Sequence, residues 1–146
     1  MKKIFIGYDH GGYDLAQKVK KFLAKKNYEI IDLGCEEPKS CDFPIYGKFV
    51  AENITKNPNS LGIVICGSGV GISIAANRVL GAHAVLANTI EIARLGREHN
   101  DANILALGGR TKFFDPWEKI LETFLNTKKL DNERYTRRRN LLDNLN

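Results

Sequence analysis

The stretch Ile63-Val64-Ile65-Cys66-Gly67-Ser68-Gly69-Val70-Gly71-Ile72-Ser73 restricts the fold more than any other part of the chain. Its β-branched apolar run reads as a strand buried on both faces, the mark of a parallel sheet. Three glycines at alternate positions then let the backbone turn tightly and bring its N–H groups close to a ligand. A helical pattern follows at once, adding orphan N–H donors and the positive end of a helix dipole. The turn sets one thiol beside a preformed anion cradle, equipment suited to proton transfer with a developing oxyanion.

Strand and helix patterns alternate along the rest of the chain. Strands are predicted over 3–9, 28–33, 61–66, 82–87 and 102–107. Helices are predicted over 14–26, 45–56, 71–79, 89–98 and 132–145, with another opening at Asp115-Pro116 as a cap followed by proline in the first turn. The 71–79 helix is apolar on most sides and is expected to be buried. Five strands separated by helices make a doubly wound parallel sheet. No linker, repeat or low-complexity segment interrupts the pattern, so one domain over 1–146 is expected. Ligands in such folds bind beyond the carboxyl ends of the strands, at a topological switch point. The residues expected there are Asp9-His10, Gly34-Cys35, Cys66 to Gly71, Asn88 and Gly108 to Arg110.

Composition narrows the function classes. A hydrophobic fraction of 43% and a charged fraction of 27% are ordinary for a soluble globular chain of 146 residues. No apolar run approaches the roughly 20 residues that span a bilayer. The apolar start stops at Asp9, too short for a secretory leader, so a cytoplasmic protein without a membrane partner is expected. The three cysteines, Cys35, Cys41 and Cys66, form no C-x-x-C pair. They fit neither a disulfide framework nor a zinc site. The net charge of +5 is concentrated: 128–139 alone carries +4. A small anion, nucleic acid or a solvated face would each explain that segment.

The glycine spacing is not the G-x-G-x-x-G of a dinucleotide fold, and it follows the third strand rather than the first. No P-loop is present, and Ile72 stands where a cysteine phosphatase needs arginine. An ordinary strand–helix turn remains open. A buried cysteine is usually a small hydrophobe, but at a helix N-terminus a thiolate becomes accessible. Asp9-His10 is either a cap before a turn or a carboxylate for sugar hydroxyls beside an imidazole for phosphate. His99 either complements a helix dipole or acts chemically, and His83 reads as structural. Arg134 and Arg138 are four apart, so one helical face presents both, a pair suited to a phosphate dianion. Arg137 and Arg139 are expected to be solvated. Nucleic acid is disfavoured because no aromatic residues interleave with the basic ones on a sheet face.

Together these residues resemble the ribose-5-phosphate isomerase B family, which also includes the galactose-6-phosphate isomerase subunits. The resemblance runs over nearly the whole chain. It is carried by Gly7 to Gly12, Asp42-Phe43-Pro44, the block from Cys66 to Arg78, Arg97 to Asn103, and Gly108-Gly109-Arg110. It implies a Rossmann-like three-layer α/β/α sandwich with a five-stranded parallel sheet and a C-terminal helix that extends to a partner subunit. It also implies a homodimer, or a tetramer, with shared active sites and neither metal nor organic cofactor. The implied reaction interconverts an aldose phosphate and its ketose through an enediol, as in the pentose phosphate pathway.

Carried onto this chain, the resemblance makes Cys66 the base that moves a proton between C2 and C1. Asp9, Ser68 and His99 bind the ring oxygens and open the cyclic sugar. Gly67, Gly69, Val70 and Gly71 belong to the oxyanion loop, and Asn100 contacts the developing enediolate. His10, Arg110, Arg134 and Arg138 clamp the phosphate. Two departures concern substrate length and the clamp: Phe43 stands where tyrosine is usual, and Tyr135 follows Arg134 where histidine is common. A six-carbon substrate such as allose 6-phosphate or galactose 6-phosphate, or a non-catalytic sugar-phosphate sensor, are the alternatives.

Overall fold

The computed structural model describes residues 2–145. Five strands, β1 (Lys3–Tyr8), β2 (Glu29–Asp32), β3 (Leu61–Cys66), β4 (Ala84–Leu86) and β5 (Ile104–Gly108), form one sheet. Their order is β2-β1-β3-β5-β4, and every neighbouring pair is parallel. The helices are α1 (Tyr13–Lys25), α2 (Phe43–Lys56), α3 (Val70–Asn77), α4 (Ile90–Asn100), α5 (Trp117–Asn126) and α6 (Glu133–Asp143). The chain leaves β1 toward one edge and returns on the other side for β3, so the switch point lies between those strands. Tyr8 pairs with Ile65 across them, which brings Asp9 and Cys66 to the same crevice.

Alternation along the strands divides the core into two layers. Ile4, Ile6, Ile63, Ile65, Leu105 and Leu107 pack with Leu15, Val19 and Leu23 of α1 and with Ile120, Leu121 and Phe124 of α5. Phe5, Val64, Cys66, Ile104 and Ala106 pack with Val50, Ala51 and Ile54 of α2 and with Ile72 and Ala76 of α3. Each large aliphatic side chain buried this way stabilises by about 1.5–3 kcal/mol before entropy is counted. α2 approaches the sheet closely because β3 offers no side chain there: a Cβ on Gly62 would lie 2.7 Å from Val50 Cγ1.

Four expectations are corrected. The 71–79 helix is covered on one side only: Ile72 and Ala76 are fully buried, whereas Val70 and Ile74 are 47% and 58% exposed. One sheet face cannot cover a helix that is apolar nearly all round. Asp115 does not cap the helix beside it. Its Oδ2 accepts from Ile90 N at 2.7 Å, serving the positive end of α4 instead. Arg139 is buried rather than solvated. Its guanidinium donates to Leu130 O at 3.0 Å and, at 3.5 Å each, to the carbonyls of Glu98 and His99. α6 buries almost nothing apolar, so polar contacts fasten it, this guanidinium on carbonyls of the last turn of α4 among them. Finally, Cys35 and Cys41 form a disulfide, with Cα atoms 6.8 Å apart. The loop after β2 folds back on itself, a path that the six-residue spacing does not announce.

Thr89 caps α4 and Asn132 caps α6, each accepting from the main-chain N–H three residues on. His83 is structural, and its partner is Asp143, 2.9 Å away at the far end of α6. No helix among the described residues is long and apolar enough to cross a membrane.

Candidate active site

Cys66 ends β3 almost fully buried, 4% exposed, among side chains of the α2–α3 layer. Its Sγ accepts a hydrogen bond from Gly69 N at 3.1 Å. That contact requires the loop to double back, and Gly69 does so with φ of 78°. A Cβ there would lie 2.8 Å from the Leu107 carbonyl carbon. Gly67 differs: an added Cβ would meet only Arg110 Cδ, at 3.9 Å. Its bare backbone therefore faces open space. Ser68 is exposed, and its Oγ accepts from Val70 N at 3.2 Å. α3 begins at Val70, so the positive end of its dipole lies at this loop.

The loop after β1 lies directly against this turn. A Cβ on Gly11 would come within 2.7 Å of Gly67 N. Asp9 is 5% exposed and its Oδ1 accepts from Gly12 N at 3.1 Å. His10 Nδ1 sits 3.1 Å from Cys41 N and 3.2 Å from Cys41 O, so the Cys41 main chain serves either tautomer. The loop after β5 closes the third side. Gly109 N and Arg110 N donate to the carbonyls of Cys66 and Gly67, each at 2.8 Å. The ring of Phe43 covers Gly71, where a Cβ would come within 2.7 Å of it. Asp9, His10, Cys66, Gly67, Ser68, Gly69, Val70, Gly71 and Arg110 thus converge at the switch point.

His99, Asn100, Arg134 and Arg138 do not join them. α4 runs back toward the amino end of the sheet, and His99 lies on its last turn, just before β5. β5 itself separates the two ends by about 17 Å. At the far end the His99 ring stacks on Tyr135, with centroids 4.3 Å apart. α6 carries Arg134 and Arg138 beside that stack. The candidate residues therefore fall into two groups at opposite ends of the sheet.

The matching family model, described as Ribose/Galactose Isomerase, spans residues 4–142. The chain belongs to this family. A solved ribose-5-phosphate isomerase B from Clostridium thermocellum is 45% identical, with a TM-score of 0.91 over 97% of this chain and 95% of that one. The Escherichia coli ribose-5-phosphate isomerase B is 39% identical over 86% of this chain and 84% of its own length. A galactose-6-phosphate isomerase subunit LacB from Clostridium acetobutylicum is 38% identical over 86% of this chain and 72% of its own length. Members of the ribose/galactose isomerase family are sugar-phosphate aldose–ketose isomerases.

The sequence reading missed the residues that hold these two groups in place. Arg97 is 9% exposed and donates from Nε to Thr127 O and from Nη1 to Asp101 and the Ala102 carbonyl. Burial pushes its guanidinium below the ordinary arginine value, with Asp101 opposing. Asn103 accepts from His83 N at 2.8 Å and donates to Gly81 O at 2.9 Å. These polar residues fix the corner that presents His99 and Asn100. Only their density in one short segment hinted at it. Behind the other group, Lys20 Nζ lies 2.5 Å and Tyr8 Oη 2.9 Å from Asp32 Oδ2. Burial acts to raise the Asp32 carboxyl. Hydrogen bonds from Lys20, Gly34 N–H and Tyr8 outweigh it and hold the group below 3.8.

Proposed function

We propose that this chain interconverts ribose 5-phosphate and ribulose 5-phosphate through an enediolate, with Cys66 as the base, in a homodimer with shared sites. The observation that carries the reading is the Cys66 sulfur accepting the Gly69 N–H at the mouth of a loop whose Gly67 backbone is bare. A thiol so placed has a donor for its charged form and open space next to it. Asp9 and Ser68 bind ring oxygens, and His99 of a second copy opens the cyclic sugar. Cys66 then takes the proton from C2 and returns it to C1. Negative charge on the oxygen falls to the N–H groups of 67–71 and to Asn100. His10, Arg110, Arg134 and Arg138 hold the phosphate, whose binding energy keeps the chain against the sulfur.

The magnitudes suffice. A positioned base supplies about 10²–10⁴ in rate, and each oxyanion donor roughly 3–4 kcal/mol. One base and two donors reach the roughly 8 kcal/mol of a millionfold acceleration. A second copy is favoured by two features. The two groups of candidate residues lie at opposite ends of one chain, and α3 leaves Val70 and Ile74 uncovered next to the loop.

A side-by-side assay with ribose 5-phosphate, allose 6-phosphate and galactose 6-phosphate, using Cys66→Ala as the blank, tests the reading. Ribose 5-phosphate is expected to give the highest kcat/KM. Preference for a six-carbon sugar would move the assignment toward the galactose-6-phosphate relatives, and turnover of none would leave a sensor.

A further inference from the structure

We infer that Tyr135 is a positioning residue for His99, holding the imidazole for the ring-opening step; the inference rests on the isomerase reading proposed above. The two rings are stacked, 4.3 Å between centroids and 10° between planes. Both residues are half-buried. Both sides of the stack are anchored. The His99 carbonyl accepts from Arg139 at 3.5 Å. Tyr135 N donates to Asn132 Oδ1 at 3.0 Å, at the first turn of α6. The same Arg139 holds α6 to Leu130 O. Without its neighbour, the imidazole would turn about its side-chain torsions on an open helix end.

The form of the contact matters chemically. Opening a furanose breaks the bond between C1 and the ring oxygen. The ring oxygen gains a proton, the C1 hydroxyl loses one, and the aldehyde carbonyl forms with no change of oxidation state. An imidazole that serves this step needs its nitrogens free. A partner that oriented the ring by hydrogen bonding would occupy one of them. A phenol ring lying flat against it fixes the plane and occupies neither. Small misplacements of such a group are costly, about 10²-fold for 1 Å.

The test compares Tyr135→Ala and Tyr135→Phe with the wild type on two sugars. One is ribose 5-phosphate. The other is its 4-deoxy analogue, which lacks the C4 hydroxyl and stays open. Tyr135→Ala is expected to lower kcat on ribose 5-phosphate tenfold or more while staying within threefold of wild type on the open analogue. Tyr135→Phe, which keeps the flat ring, is expected within twofold on both. The inference is overturned by an alanine variant that turns over ribose 5-phosphate normally, by equal losses on both sugars, or by a phenylalanine variant as damaged as alanine. It is also overturned by a wild type that uses only the cyclic sugar, since no separable opening step would then exist. A wild type that converts neither sugar overturns the isomerase reading itself.

Discussion

Two glycines of the Cys66 loop look alike in the sequence and do different work. Gly69 is required by geometry, with φ of 78° and the Leu107 carbonyl in the way of any Cβ. Gly69→Ala is expected to cost about 1–3 kcal/mol in stability, read from denaturant melts. A Cβ on Gly67 would meet only Arg110 Cδ, at 3.9 Å, so a methyl group fits there. Gly67→Ala is expected to keep wild-type stability and still lose at least tenfold in kcat/KM, because the methyl fills the space next to the N–H groups. Equal damage from both substitutions would mean that the bare face of Gly67 faces no substrate. Cys66→Ala is expected to bind substrate and turn over below a tenth of the wild-type kcat. More than that would remove the thiol from the base role.

Elements fasten to one another here partly through charge, and each fastening predicts a measurable loss. Arg139 holds α6 to the end of α4 through main-chain carbonyls. Arg139→Ala is expected to raise KM for the sugar phosphate at least fivefold, because Arg134 and Arg138 lose their platform, with less effect on the melting of the sheet. At the opposite edge, Asp32 ties β2 to Lys20 of α1 and to Tyr8 of β1. Its folded pKa lies below its ordinary value, so its stabilising contribution is full above 3.8 and lost as pH falls through the lower folded value. The gap in Tm between wild type and Asp32→Asn should therefore be present at pH 7 and narrow as pH falls from 3.8 through the lower folded value. A gap independent of pH would assign the loss to packing. The element pattern itself was legible because strand and helix periods differ. β3 was read with its observed ends, while 82–87 shrank to Ala84–Leu86. Its amino-terminal end turned out to be bonded by side chains, His83 N to Asn103 and Ala84 N to Asn77, which carry no periodic signal. Arg139 was misread for a related reason. A charged residue among charged neighbours shows its burial only when the helix it belongs to has a place to land.

At the scale of the molecule, the sequence named candidate components of the site but not where the fold puts them. Nothing in the residues alone says that His99 lies at the other end of the sheet from Cys66; only the return path of α4 shows it. The disulfide between Cys35 and Cys41 was equally invisible, because chain reversal in an irregular loop leaves no spacing rule. The division makes a test of assembly possible. Cys66→Ala and His99→Ala should each be nearly inactive alone. Refolded together in equal amounts, they should recover about a quarter of wild-type activity, since half the dimers then carry one intact site of two. No recovery would mean that each chain works by itself. The double duty of α3 has a further consequence. In the proposed dimer its first turn supplies N–H groups to the cradle, while Val70 and Ile74, exposed on the same eight residues, face the second copy. Quaternary contact and reaction rate are thus mechanically joined, and a descendant that remodels how its subunits meet must retune its chemistry in the same stroke.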